Sequence, residues 1–169
     1  VETMRVCPQN QLVAQLPDAP PVSFTSALSG AGINIISEIK YQSPSHGPFL
    51  CQLPPAQVAQ LYSENGAVAA SVLTEKNYFA GNLSFLEEID REVPGFPLLR
   101  KDFIVDPWQV YESRAAGADA ILLIAEVLKP GELMDLMIVA AELTLTVLLE
   151  VHEADTLLSV RSVIGFPTK

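Results

Sequence analysis

The residues that could do chemistry stand at the ends of apolar runs. In Leu98-Leu99-Arg100-Lys101-Asp102-Phe103-Ile104 a hydrophobic stretch ends in charge, just ahead of a helix start at Asp106-Pro107. An ammonium beside a buried strand is costly unless something pairs with it. In barrel and open α/β folds the C-terminal ends of strands are where active sites gather. The pattern occurs earlier, where Ile36-Ser37-Glu38-Ile39-Lys40 leads into Ser43-Pro44-Ser45, and later, where Thr146-Val147-Leu148-Leu149-Glu150 leads into Val151-His152. Glu38 and Lys40 are two apart and share one face of a strand. Together these ends suggest one polar site, in which Lys101 and Glu150 form an acid/base couple whose proton affinities are set by neighbouring charge. Glu75 would add a further carboxylate. The plainer alternatives are a structural ion pair for Glu38 and Lys40 and a solvated loop lysine for Lys101.

Around these charges the signals are weaker. The loop Ser43-Pro44-Ser45-His46-Gly47 offers hydroxyls and backbone N–H groups suited to phosphate or carboxylate oxygens, or it is an ordinary turn. Tyr78, Phe79 and Phe103 follow strand ends, where they either pack in the core or stack on a planar ring. His46 and His152 belong to no ligand set, and Cys7 and Cys51 to no C-x-x-C pair, so none is read as a metal ligand.

The elements that must position these residues alternate regularly. Strands are expected over 33–40, 67–74, 97–100, 120–125 and 145–151, and helices over 54–65, 83–91, 107–116, 131–142 and 154–160. Pro54-Pro55 and Asp106-Pro107 mark helix starts, Asn82 is an expected N-cap, and Gly66 and Gly117 mark helix ends. Such alternation specifies parallel βα units, an α/β fold. Two architectures fit: an open doubly wound sheet, or an incomplete (β/α)8 barrel of five to six units. The dinucleotide fold lacks its signature, since Gly30-Ala31-Gly32 precedes the first strand and no G-x-x-x-x-G-K-[ST] occurs. Residues 1–22 read as an N-terminal arm and 23–169 as one domain of βα units, a partial (β/α) barrel on the second of these architectures, with a short helix over 23–28 and the start of a sixth strand over 162–165.

Bulk composition narrows the function. A 169-residue chain that is 49% hydrophobic can bury one sizeable core. A net charge of −10 argues against a nucleic-acid surface, which needs a basic patch. No apolar run reaches the ~18–20 residues that span a bilayer, so no membrane partner is expected. The first ten residues lack a secretory pattern, and a cytoplasmic location is expected.

The motifs in order resemble the indole-3-glycerol-phosphate synthase family. Ile36-Ser37-Glu38-Ile39-Lys40 with Ser43-Pro44-Ser45 resembles its first-strand motif, and Ser71-Val72-Leu73-Thr74-Glu75 with Tyr78-Phe79-Ala80-Gly81 its second. Leu99-Arg100-Lys101-Asp102-Phe103, then Gln109-Val110-Tyr111-Glu112 and Arg114-Ala115-Ala116-Gly117-Ala118-Asp119-Ala120, is similar to the third and fourth units, and Leu149-Glu150-Val151-His152 to the fifth strand. The resemblance implies a (β/α)8 barrel of tryptophan biosynthesis. Its reaction closes a ring on 1-(2-carboxyphenylamino)-1-deoxyribulose 5-phosphate, with loss of CO2 and water, and uses neither a metal nor an organic cofactor. It implies Lys101 as general acid, Lys40 as holder of the departing carboxylate, Glu150 in proton transfer and Glu38 orienting or sharing that role. Ser43, with Pro44 beside it, would contact the phosphate, and Phe79, Phe103 and Leu122 would line the slot for the aromatic ring.

The family continues through three more strands that supply an Asn, an Arg and most of the phosphate-binding loops, whereas this sequence stops at Lys169, with Pro167 near the expected Asn. An open barrel edge is an association hazard. The alternative function is therefore a catalytically impaired half-barrel that binds itself or a partner. A related barrel, the phosphoribosylanthranilate isomerase, would use a Cys/Asp pair, and the Lys-Asp-Phe and Glu-x-Lys motifs argue against it.

Overall fold

The structure is a computed structural model that describes residues 9–50, 53–161 and 163–165. Cys7 and Cys51 lie outside the described residues. The elements are, in chain order, α1 (Gln9–Val13), α2 (Phe24–Ala27), β1 (Ile36–Ile39), β2 (Gln42–Ser43), β3 (Gly47–Pro48), α3 (Pro55–Glu64), β4 (Ala69–Leu73), α4 (Lys76–Phe79), α5 (Ser84–Glu92), β5 (Leu98–Lys101), α6 (Pro107–Ala115), β6 (Ala120–Ile124), α7 (Pro130–Glu142), β7 (Thr146–Glu150) and α8 (Ala154–Val160). Five strands form one parallel sheet in the order β1-β4-β5-β6-β7, and β2 and β3 pair as a small antiparallel ribbon. The alternation of strand and helix expected from sequence is thus present, in a sheet whose outer strands are β1 and β7.

Parity decides which residues face which side. On one face Ala69, Leu99, Ala120 and Leu122 pack with Ile36 and Ile124 against Phe24 and Leu28, so the short helix α2 closes the bottom of that face. On the other, Ile39, Val72 and Leu98 meet Leu86 and Ile89 of α5, while Ile121 and Leu123 meet Leu133 and Leu136 of α7. Full burial of one such side chain is worth about 1.5–3 kcal/mol. The charged residues of the first face, Glu38, Lys101 and Glu150, sit at its upper, C-terminal end.

Local signals set the helix ends. The Asp106 carboxylate accepts from the Trp108 N–H at 2.8 Å, and the Gln109 side chain accepts from the Asp106 N–H at 3.1 Å, a complete capping box with Pro107 in the first turn. Gly117 ends α6 at φ +89°, where a Cβ would also meet the Asp90 side chain at 2.9 Å. The N-cap of α5 is Leu83 rather than the expected Asn82, whose side chain one residue earlier accepts from the Ser84 N–H at 3.1 Å.

Three expectations need correction. The first strand starts at Ile36, not residue 33, and Ile33 is 92% exposed. Its β-branched type suits a strand, but pairing with β4 begins at Ile36 with Ala69. Within the expected arm, Gln9–Val13 is helical, buries Leu12 and packs on α6, and Val22 N–H bonds Asp119. Finally, Val163, Ile164 and Gly165 form a turn rather than a sixth strand: the N–H groups of Val163 and Ile164 return to the Val160 carbonyl.

Candidate functional site

At the C-terminal ends of the strands lies a cavity of about 240 Å³. Its charged lining is Glu38, Lys40, Lys101, Asp102 and Glu150, and its apolar lining is Leu73, Phe79, Phe103, Leu122 and Ile124. Register explains the convergence. Glu38 lies opposite Ser71 of β4, Ser71 opposite Leu99 of β5, and Lys101 two residues beyond Leu99 on the same face. Strand β4 presents the small Ser71 opposite Glu38, so the β1 carboxylate can reach diagonally across it to the β5 ammonium, which lies opposite Leu73.

They do meet, and the carboxylate serves two cations. Lys101 Nζ donates to Glu38 Oε2 at 2.7 Å, and Lys40 Nζ lies 2.5 Å from Glu38 Oε1. Burial pushes the Glu38 carboxyl up, but the hydrogen bonds and charges of Lys101 and Lys40 outweigh that and hold it below its ordinary value. Tyr62 of α3 donates its hydroxyl to the Glu38 carbonyl at 3.1 Å, which fixes the strand end from the helix side. Lys40 also sits over the Phe49 ring, 5.8 Å from its centroid.

Lys101 is therefore partnered by Glu38, not by Glu150 as expected. Glu150, at the end of the outer strand β7, accepts or shares a hydrogen bond with His152 Nε2 at 2.8 Å, and it lines the same cavity. Glu75 is a helix cap: its carboxylate accepts from the N–H groups of Asn77 and Tyr78 and holds the start of α4. Phe79, Phe103 and Leu122 come together as expected, while Tyr78 is exposed. Ser43 and Pro44 do not line this cavity; Ser43 is buried, its hydroxyl accepting from the His46 N–H at 3.3 Å, and Pro44 is exposed.

Sequence reasoning missed Leu73, Ile124 and Asp102. The first two follow from parity, two residues beyond Ser71 and Leu122. Asp102 was legible as the partner of Arg100 two residues before it. The buried Arg100 guanidinium donates to Asp102, Glu112, Ser113, Thr74 and the Gln109 carbonyl, and Asp102 accepts in turn from Thr74 and from the Phe103 N–H. This network, on the helix side of the sheet, anchors the turn that carries Lys101 and Phe103 above the cavity.

Among the described residues no cluster of three or more His, Cys, Asp or Glu could hold a metal ion, and no helix is long and apolar enough to cross a membrane. What the cavity offers is an ammonium poised beside a carboxylate, a second ammonium, a separate carboxylate, and phenyl rings for a planar group.

The model of the family described as indole-3-glycerol phosphate synthase matches residues 1–165. Among similar proteins, the indole-3-glycerol phosphate synthase of Desulforamulus reducens is 46% identical over 156 residues, 92% of this chain and 58% of the relative. That of Salinibacter ruber is 49% identical over 81% of this chain and 51% of its own length, and that of Dehalococcoides mccartyi 44% identical over 84% and 55%. The chain spans about half the length of the curated relatives it matches.

Proposed function

The chain belongs to the indole-3-glycerol phosphate synthase family, and from that we propose that its cavity takes 1-(2-carboxyphenylamino)-1-deoxyribulose 5-phosphate and forms indole-3-glycerol phosphate, CO2 and water. The observation that carries this reading is the joint presence, in one cavity, of the Glu38–Lys101 and Glu38–Lys40 pairs, Glu150 and the rings of Phe79 and Phe103.

The steps follow from those groups. The aryl ring lies among Phe79, Phe103 and Leu122. Its carboxylate binds the Lys40 ammonium. Lys101 donates a proton to the keto oxygen as the ring carbon attacks the keto carbon, so a C–C bond forms and the carbonyl becomes a hydroxyl. The C–CO2 bond then breaks, and its electron pair restores the aromatic ring. Lys101, reprotonated from solvent, gives a proton to that hydroxyl, which leaves as water, and the adjacent carbon-bound proton passes to Glu150, which completes the indole. Glu38 orients Lys101 between these steps. Ser43 and Pro44, on the loop after Lys40, are assigned to the phosphate end. The reaction belongs to tryptophan biosynthesis in the cytoplasm.

A second reading has its own observation. Strands β1 and β7 lie at the two edges of the sheet, which favours a chain that covers its edges with a second copy or a partner. Turnover separates the two. The wild-type chain is expected to produce the fluorescent indole product, and Lys101→Ala to lose at least about a hundredfold in rate, the scale of a positioned general acid. A wild-type chain that folds and binds substrate but forms no product overturns the catalytic reading.

A further inference from the structure

His152 is a residue that the proposed chemistry leaves without a role, yet it touches a group in the cavity. Its Nε2 lies 2.8 Å from Glu150 Oε1. Its main chain is held from the neighbouring loop: the N–H groups of His152 and Glu153 both donate to Glu126 Oε1, at 2.7 and 3.1 Å. The strand end below is fixed as well, because the Ala125 N–H donates to the Glu150 carbonyl at 3.0 Å. The turn after β6 thus sets the path of the turn after β7, and that path sets the imidazole.

Glu150 needs such a support. Among the described residues its strand, β7, pairs only with β6. The lysine expected to hold it is engaged by Glu38. A carboxylate side chain has several rotamers, and a group that must meet a carbon-bound proton gains rate from being held in one of them. The side chain of His152 is 65% exposed, so its contact with Glu150 contributes little to the core.

We infer that His152 is a positioning residue for Glu150: it donates its Nε2–H to Oε1, fixes the carboxylate rotamer and leaves Oε2 for the substrate proton. Glu126 is the outer support that holds the imidazole's backbone in place. The inference rests on the proposed role of Glu150 in proton transfer.

The test compares the full chain with His152→Ala and His152→Gln, since a glutamine amide can donate from nearly the same place as Nε2. His152→Ala is expected to lower kcat about tenfold with KM within about twofold, the signature of lost alignment in the transition state, and His152→Gln to recover most of it. An alanine variant with unchanged kcat, or a glutamine variant as impaired as alanine, overturns the inference. A second measurement does not depend on turnover. Nitrogen NMR of the labelled His152 ring is expected to show the Nε2-protonated tautomer in the wild type and the free-imidazole mixture in Glu150→Ala. Identical ring signals in both proteins overturn the contact itself. A wild-type chain without turnover but with this tautomer shift would sink the functional reading while leaving the contact standing.

Discussion

At the end of β1 one carboxylate faces two ammoniums. That arrangement has a pH signature. Glu38 is held below its ordinary value of 4.5, burial opposing and the two lysines prevailing. A carboxyl whose native pKa is depressed stabilises the fold above its unfolded value and loses that contribution as pH falls through the native one. Glu38→Gln is therefore expected to be less stable than wild type above pH 4.5, with the gap closing as the pH falls below it. Urea melts across that range check it, and a gap that ignores pH would refute the clamp. In assays Glu38→Gln should also lose kcat, because Lys101 no longer has a fixed partner. Lys101 itself was legible in sequence because a cation ended an apolar run. The role of Glu75 was not, since glutamate is an uncommon N-cap and its bonds to Asn77 and Tyr78 depend on where α4 begins. Nor was the choice of Glu38 over Glu150 as partner of Lys101, which is set by register across β4 and by nothing in local spacing.

Elements place the aromatic wall and tie down the N-terminal segment. Gly81 follows α4 at a point where an added Cβ would lie 2.4 Å from the Leu73 carbonyl oxygen and 2.7 Å from that of Glu75. Backbone cannot yield there cheaply, so Gly81→Ala is expected to shift the loop that carries Phe79 and to cost about 1–3 kcal/mol, the usual scale of overpacking. The check is a lower urea midpoint together with a raised KM; an unchanged KM would separate the loop from substrate binding. At the other end of the sheet, Asp119 accepts from the N–H groups of Val22 and Leu98, at 2.6 and 2.9 Å. Asp119→Ala strands both donors and is expected to cost about 1–3 kcal/mol. Burial raises the Asp119 carboxyl above its ordinary 3.8, with Asp90 adding to the rise and the two backbone bonds and Arg114 opposing it. The native state then holds its proton more tightly than the unfolded chain, so the advantage of aspartate over alanine should shrink as pH rises from 3.8. Helix boundaries here were readable because Pro, Asp, Asn and Gly act within a few residues of where they stand. Strand boundaries were less so: Ile33 and the Val163-Ile164 pair have β-branched side chains, yet a strand exists only where a partner strand runs alongside.

Among the described residues the sheet ends at β1 and β7, and its inner face reaches solvent at the β7 side, where Leu148 is 37% exposed. An edge strand offers unpaired N–H and C=O groups to any second chain, and an apolar residue beside them adds area to the contact. The 169-residue chain on its own is accordingly expected to sediment as more than one copy and to bind an apolar dye. Its charge gives that association a direction with salt. Each copy carries a net charge of −10, so two copies repel at long range. Salt shortens the reach of that repulsion to about 10 Å at 0.1 M. Raising ionic strength should therefore tighten the association, whereas a contact built on complementary charges would loosen. Leu148→Glu puts a further negative charge on the exposed edge and removes its apolar contact. It should shift the chain toward monomer while far-UV dichroism stays unchanged. A wild-type chain that sediments as a single copy at every salt concentration, without binding dye, would rule out self-association through the edge.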